Sequence, residues 1–127
     1  MLTYEEAGAV LDEVADMFPE EFYKDLNGSI LFLPEVKRPR EAPDLYIMGT
    51  YCRNQMGRYI EIYYGSFAGM AEAECGSRER WKRQLYKTVS HEFTHHWESL
   101  AGERALEDKD AEYMARYWAR KARENGE

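Results

Sequence analysis

The stretch Thr88-Val89-Ser90-His91-Glu92-Phe93-Thr94-His95-His96 holds all three histidines of this 127-residue chain within six positions. It lies in a pattern in which large apolar residues recur every four positions: Trp81, Leu85, Val89, Phe93 and Trp97. This spacing predicts an amphipathic helix that begins at Ser77, packs its apolar stripe on the rest of the domain and ends at Gly102. Because four residues turn a helix by about 400°, His91 and His95 are expected to project from one side, one turn apart.

The spacing of His91, Glu92 and His95 is the HExxH pattern and predicts a metal site with hydrolytic chemistry. Two imidazoles one turn apart can reach one ion, and the carboxylate of Glu92 can accept a proton from a water on that ion. A zinc ion (Zn2+) suits these ligands and lowers the pKa of its water from about 15.7 toward 7. His96 projects about 100° away from His95, so we expect it to pack or to support the site. The alternative is a pair of ordinary histidines on a structural helix.

A catalytic zinc needs a third protein ligand and one open position, and the sequence leaves that ligand open. Glu98 lies roughly 10.5 Å along the helix from His91, which is too far for one ion to meet both histidines and this carboxylate on a straight helix. If Gly102 turns the chain into an antiparallel helix over about residues 105–123, the positions level with the histidines are 107–112.

Three acidic residues are candidates for the third ligand, and two of them lie within this window. Asp110 is the first choice because it falls in line with Leu106, Tyr113 and Tyr117, on a face expected to turn inward, where a metal would satisfy its charge. Glu107 is the second choice and Glu103 the third. The alternative for each is an exposed acidic residue on a charged helix.

The other patterns predict an α+β fold with a small sheet. Thr3 and Glu6 form a capping box at the start of an amphipathic helix over residues 3–18. Three runs are expected to be strands: 30–33, 45–51 and 58–67. In the third run Ile60 and Ile62 should face the core while Glu61 faces solvent or a cleft. We expect residues 58–64 to form an edge strand along which an extended substrate could pair.

Five tyrosines cluster on the second and third predicted strands: Tyr46, Tyr51, Tyr59, Tyr63 and Tyr64. A hydroxyl near the metal could donate a hydrogen bond to a developing oxyanion. Core and edge aromatics are the simpler interpretation of most of them, and the sequence does not single one out.

Composition and charge exclude several function classes. The 17 basic and 24 acidic residues give a net charge of −7, which disfavours nucleic acid and anionic membranes as partners. The start of the chain lacks a signal-peptide pattern and no apolar run approaches a membrane span, so we expect a cytoplasmic protein that forms a single domain over residues 1–127. The oligomeric state is not predicted.

Segments along nearly the whole chain resemble the bacterial zincin-like metallopeptidase family. They are 18–22, 26–28, 45–51, 58–65 and 88–96, and the doubled histidine of the HExxHH motif is the most specific. The resemblance implies a minimal zincin-like fold, in which a small mixed β-sheet accompanies an HExxH active-site helix with flanking N- and C-terminal helices. It also implies zinc ligation by His91 and His95, and Glu92 as the general base.

The resemblance implies a metallopeptidase acting on a peptide or protein substrate. The chain departs from the family pattern over residues 97–104, which again leaves the third ligand open. The alternative function is a metal-stabilised or degenerate zincin that acts as a binding or regulatory module without hydrolase activity.

Overall fold

The computed structural model describes residues 1–74 and 77–124 and shows an α+β fold, as predicted. Its elements are α1 (Tyr4–Asp16), a 3-10 turn (Glu20–Tyr23), β1 (Ile30–Leu33), β2 (Gly49–Asn54), β3 (Gly57–Tyr63), α2 (Tyr64–Glu74) and α3 (Arg78–Glu124). Backbone contacts group the chain into two compact units, Met1–His96 and Trp97–Glu127. Within the described residues, no helix is both long and apolar enough to cross a membrane.

The three strands form one mixed sheet in the order β1-β3-β2, which confirms the predicted mixed sheet. β1 pairs with β3 in parallel, with Ile30 opposite Ile60, and β2 pairs with β3 antiparallel, with Tyr51 opposite Ile60. The prediction that residues 58–64 form an edge strand is wrong, because β1 and β2 occupy the two sides of β3. The edges of this sheet are β1 and β2.

The third strand ends at Tyr63 and not at residue 67 as predicted, because the chain becomes helical at Tyr64. The strand ends here because the residues that follow it pack tightly against the loop before β2. Ser66 is fully buried, and its hydroxyl accepts a hydrogen bond from the Lys37 amide at 3.0 Å and donates one to the Lys37 carbonyl at 3.2 Å. A Cβ at Gly65 would lie 2.7 Å from the Glu35 carbonyl carbon, so only glycine allows this approach.

The second strand begins at Gly49, four residues after its predicted start at residue 45. The residues before it belong to a loop in which the Ile47 amide donates to the Lys37 carbonyl at 2.8 Å. These backbone hydrogen bonds hold the segment in the loop and away from the ladder. The first strand, in contrast, has its predicted bounds.

The core of the first unit lies between the sheet, α1 and the first part of α3. Ile60 and Ile62 are both 0% exposed, which confirms the predicted inward face of β3. α1 begins with the predicted capping box, because the Thr3 hydroxyl accepts from the Glu6 amide at 3.2 Å and the Glu6 carboxylate accepts from the Thr3 amide at 3.0 Å. The buried part of the α3 stripe consists of Trp81, Leu85, Val89 and Phe93.

α3 passes through Gly102 as one helix of 47 residues, so the predicted helix end, turn and return helix are wrong. Gly102 is not among the glycines with positive φ, which a helix-ending glycine would require. One interior glycine costs a helix only about 1 kcal/mol, and strong helix formers surround this one: Leu100, Ala101, Glu103, Arg104 and Ala105. The expected inward face of the return helix is also wrong, since Leu106 and Tyr113 are 63% and 64% exposed.

Candidate metal centre

His91 and His95 lie one turn apart on α3 with their side chains exposed. The buried Val89 and Phe93 set the rotation of the helix, so the two histidines point away from the core. Their Nε2 atoms are 3.1 Å apart, and the rings meet edge to face with centroids 4.6 Å apart. In tetrahedral zinc sites with Zn–N bonds of about 2.0–2.1 Å, two ligating nitrogens are about 3.3 Å apart. The pair therefore fits the geometry of two ligands to one ion.

Glu92 is buried, with 5% of its surface exposed, between the two histidines and strand β2. Burial raises the pKa of this carboxyl, while the charges of His91 and His95 and a backbone hydrogen bond from Tyr51 lower it. The strand register explains that hydrogen bond. Tyr51 faces Ile60 at a position where the backbone groups of β2 point outward, so its amide can reach Glu92. A buried carboxylate held in this way beside two imidazoles suits proton transfer.

His96 is fully buried, and its ring contacts two other parts of the first unit. Its Nε2 lies 2.6 Å from the Lys24 carbonyl and its Nδ1 lies 2.7 Å from the Tyr51 hydroxyl. Because a carbonyl only accepts, Nε2 donates to Lys24, and in the neutral ring Nδ1 accepts from Tyr51. Both ring nitrogens are thus engaged within the fold, as expected for a histidine that packs or supports the site.

The structure shows a role for Tyr51 that the sequence did not reveal. Its side chain contacts His96 and its backbone amide contacts Glu92, so one residue of β2 joins two residues of the HExxHH motif. Only the position of Tyr51 in a predicted strand was visible in the sequence. The contact depends on which strand occupies the sheet edge beside α3, and local periodicity carries no information on that.

The other strand tyrosines lie elsewhere in the fold. Tyr63 lies on the opposite face of the sheet, where its hydroxyl contacts Thr50, Glu61 and Lys37, and burial raises its pKa. The hydroxyl of Tyr64 donates to the Leu2 carbonyl. Tyr51, in contrast, contacts Glu92 through its amide, and its hydroxyl is engaged by His96.

Among residues 1–74 and 77–124, no group of three or more His, Cys, Asp or Glu side chains is placed to hold a metal ion. Asp110 and Glu107 are exposed, and Glu103 is partly exposed. The geometric argument for Asp110 and Glu107 required a turn at Gly102, and α3 continues through that residue. Their assignment as ligands therefore has no support in the geometry.

A solved structure described as a conserved hypothetical protein from Thermus thermophilus is similar to this chain. The two share 30% sequence identity with a TM-score of 0.72, and the match covers 80% of this chain and 99% of the other. No protein-family model matches the chain. No curated protein matches it either.

Proposed function

We propose that this chain, which belongs to the same family as the conserved hypothetical protein from Thermus thermophilus, is a zinc-dependent hydrolase of peptide bonds. The observation that carries the proposal is the 3.1 Å between the Nε2 atoms of His91 and His95. An exposed pair of helical histidines can also arise in a purely structural helix. The buried carboxylate of Glu92 beside them favours a site, because burying an acidic group without a role costs stability.

In this proposal His91 and His95 would hold the metal. When bound, zinc polarises a carbonyl and makes a coordinated water more acidic. Glu92 would accept a proton from the water that attacks the peptide carbonyl, and would deliver it to the amine nitrogen as the C–N bond breaks. The Tyr51 amide holds that carboxylate in place, and His96 holds the Tyr51 side chain. The zincin-like fold expected from the sequence assigns the same roles to the two histidines and the glutamate.

The outer edge of β2 is the proposed binding site for the substrate. The reaction is proposed to take place in the cytoplasm. The register points the backbone groups of Gly49, Tyr51 and Arg53 away from β3. An extended peptide that adds to this edge would lie beside Glu92, and its specificity would come from alternate side chains. This proposal replaces the prediction that the substrate pairs with residues 58–64, because these residues belong to β3, the central strand.

A metal-binding or degenerate module without hydrolase activity is the second candidate. The observation in its favour is that the described residues contain no group of three or more His, Cys, Asp or Glu side chains placed to hold a metal ion. Such a module would bind partners through the same face without turnover. The two candidates differ in whether the chain hydrolyses peptide bonds and whether Glu92 is needed for that reaction.

Metal content and hydrolysis of the purified chain test the proposal together. About one zinc per chain is expected in the wild type, loss of zinc in His95→Ala and full retention in Thr94→Ala. Thr94 is a matched control because it is exposed on the same helical turn and its hydroxyl bonds only the Ser90 carbonyl among the contacts described. Zinc-free protein, even after zinc is supplied, would refute the metal site.

Hydrolysis is then measured with a mixed peptide library and cleavage-site detection by mass spectrometry. Glu92→Gln should keep zinc and lose cleavage, because the amide cannot accept the proton. Cleavage that persists in Glu92→Gln would refute the mechanism. A zinc-loaded wild type that cleaves no peptide, in contrast, would favour the binding module.

A further inference from the structure

The second unit carries an exposed apolar surface along α3. We call it the C-terminal helix face, and its residues are Leu106, Tyr113, Met114, Tyr117 and Trp118. At 100° per residue, these positions fall within an arc of about 140° of the helix. Leu106, Tyr113 and Trp118 are each more than 60% exposed, and Met114 is 45% exposed. Asp110 lies on the same side of the helix between Leu106 and Tyr113, and the exposed apolar residues around it mark an interaction surface.

The charges along the same segment are divided into two halves. Residues 103–112 contain five acidic and two basic side chains, whereas residues 113–123 contain four basic side chains and no acidic one. The helix dipole favours basic residues only in the last turn. It therefore accounts for Lys121 and Arg123, but not for Arg116 or for an acidic segment in the middle of α3.

We propose that the C-terminal helix face binds the same face of a second copy of this chain, with the two helices antiparallel. A twofold axis near Tyr113 and Met114 brings the acidic half of each copy beside the basic half of the other. Tyr113, Met114, Tyr117 and Trp118 then form the apolar contact, and the acidic residues of each copy, Asp110 among them, lie beside basic residues of the other. Parallel helices would instead place like charges side by side, so the charge pattern selects one orientation.

Other occupants fit the surface less well. Tyr113, Arg116, Arg120 and Arg123 line a shallow depression that could attract an anionic partner. Such a partner, if it followed the helix, would meet five acidic side chains in residues 103–112. A second copy complements both halves at once and also covers the apolar stripe. The proposal is independent of the metal centre, which lies in the first unit.

A charge-swap experiment on the full chain tests the pairing. One variant carries Glu107→Lys and Asp110→Lys, and the other carries Arg120→Glu and Lys121→Glu. The wild type is expected to sediment as a dimer of the 15.0 kDa chain, and each variant alone as a monomer, because like charges then meet. An equimolar mixture of the two variants should restore the dimer. Sedimentation over roughly a hundredfold range of concentration measures the dissociation.

Controls separate the surface from changes in folding or in total charge. Circular dichroism should show the same helicity in all forms, since the substituted residues are exposed. Glu20→Lys with Glu21→Lys makes the same charge change in the first unit and should leave the dimer intact. Trp118→Ala should weaken the dimer by removing apolar contact.

Three outcomes would overturn the proposal. They are a wild type that stays monomeric at every concentration, a dimer that survives in both charge variants, and a mixture that stays monomeric. The first would assign the face to a different partner, and the second would place the dimer contact on another surface.

Discussion

Replacing His95 should remove zinc and leave the stability of the fold nearly unchanged, whereas replacing its neighbour His96 should lower the stability and leave zinc bound. His96→Ala removes the ring that bonds the Tyr51 hydroxyl and the Lys24 carbonyl from a fully buried position. Each buried polar group left without a partner costs about 1–3 kcal/mol, and a cavity adds to that, so we expect a loss of about 2–5 kcal/mol in the free energy of unfolding. His95 is exposed, and His95→Ala should cost about 0.5 kcal/mol or less.

The assay is urea unfolding of both variants after treatment with a chelator. Metal must be absent because a bound ion stabilises the native state and would hide the difference. Zinc content, measured on untreated samples, should show the reverse order, with zinc lost in His95→Ala and kept in His96→Ala. A second variant, His96→Gln, should lie between the wild type and His96→Ala in stability, because its amide can still donate to the Lys24 carbonyl.

Two results would refute this reasoning. Equal stability losses in metal-free His95→Ala and His96→Ala would mean that the buried contacts of His96 do not support the fold. Loss of zinc in a folded His96→Gln, with zinc kept in His95→Ala, would mean that the ligand assignment is wrong.

Three substitutions and one addition extend these tests to the rest of the chain. Gly49→Ala should lower the free energy of unfolding by about 1–3 kcal/mol, because its Cβ would lie 3.0 Å from Ile62 and Thr88; denaturant unfolding measures this. Gly102→Ala should instead stabilise the helix by up to about 1 kcal/mol, seen as higher melting temperature and helicity, since nothing lies within 4 Å of its Cβ. Thr3→Ala should cost about 0.5–2 kcal/mol in the same unfolding assay by removing the cap of α1, and an unchanged midpoint would contradict the capping box. Zinc added after treatment with a chelator should raise the melting temperature of the wild type and leave that of His95→Ala unchanged, and an equal rise in both would contradict the site.

The features that sequence predicted well are those that depend on neighbouring residues. The capping box of Thr3 and Glu6, the bounds of β1 and the inward face of Ile60 and Ile62 all follow from side chains a few positions apart. The same holds for the pairing of His91 with His95, since one helical turn brings them together. Local geometry suffices for each of these.

The features that sequence missed depend on contacts between distant segments. β3 is central because β1, nearly thirty residues earlier, pairs with it in parallel, and no local pattern encodes that partner. The helical start at Tyr64 depends on Ser66 bonding Lys37, again from a separate loop. The support of Glu92 by Tyr51 has the same origin, because it requires β2 to be the edge strand beside α3.

The error at Gly102 explains why the third ligand could not be predicted. A glycine after an apolar stripe favours a helix end, but its cost inside a helix is only about 1 kcal/mol, which helix-forming neighbours offset. Placing Asp110 beside His95 required the chain to reverse at that glycine. The prediction of the third ligand therefore depended entirely on the prediction of a turn at Gly102. Gly102→Ala separates the two possibilities directly. Alanine is favoured in a continuous helix, whereas in a left-handed turn it would be strained, and a drop in stability would restore the hairpin together with its acidic candidates.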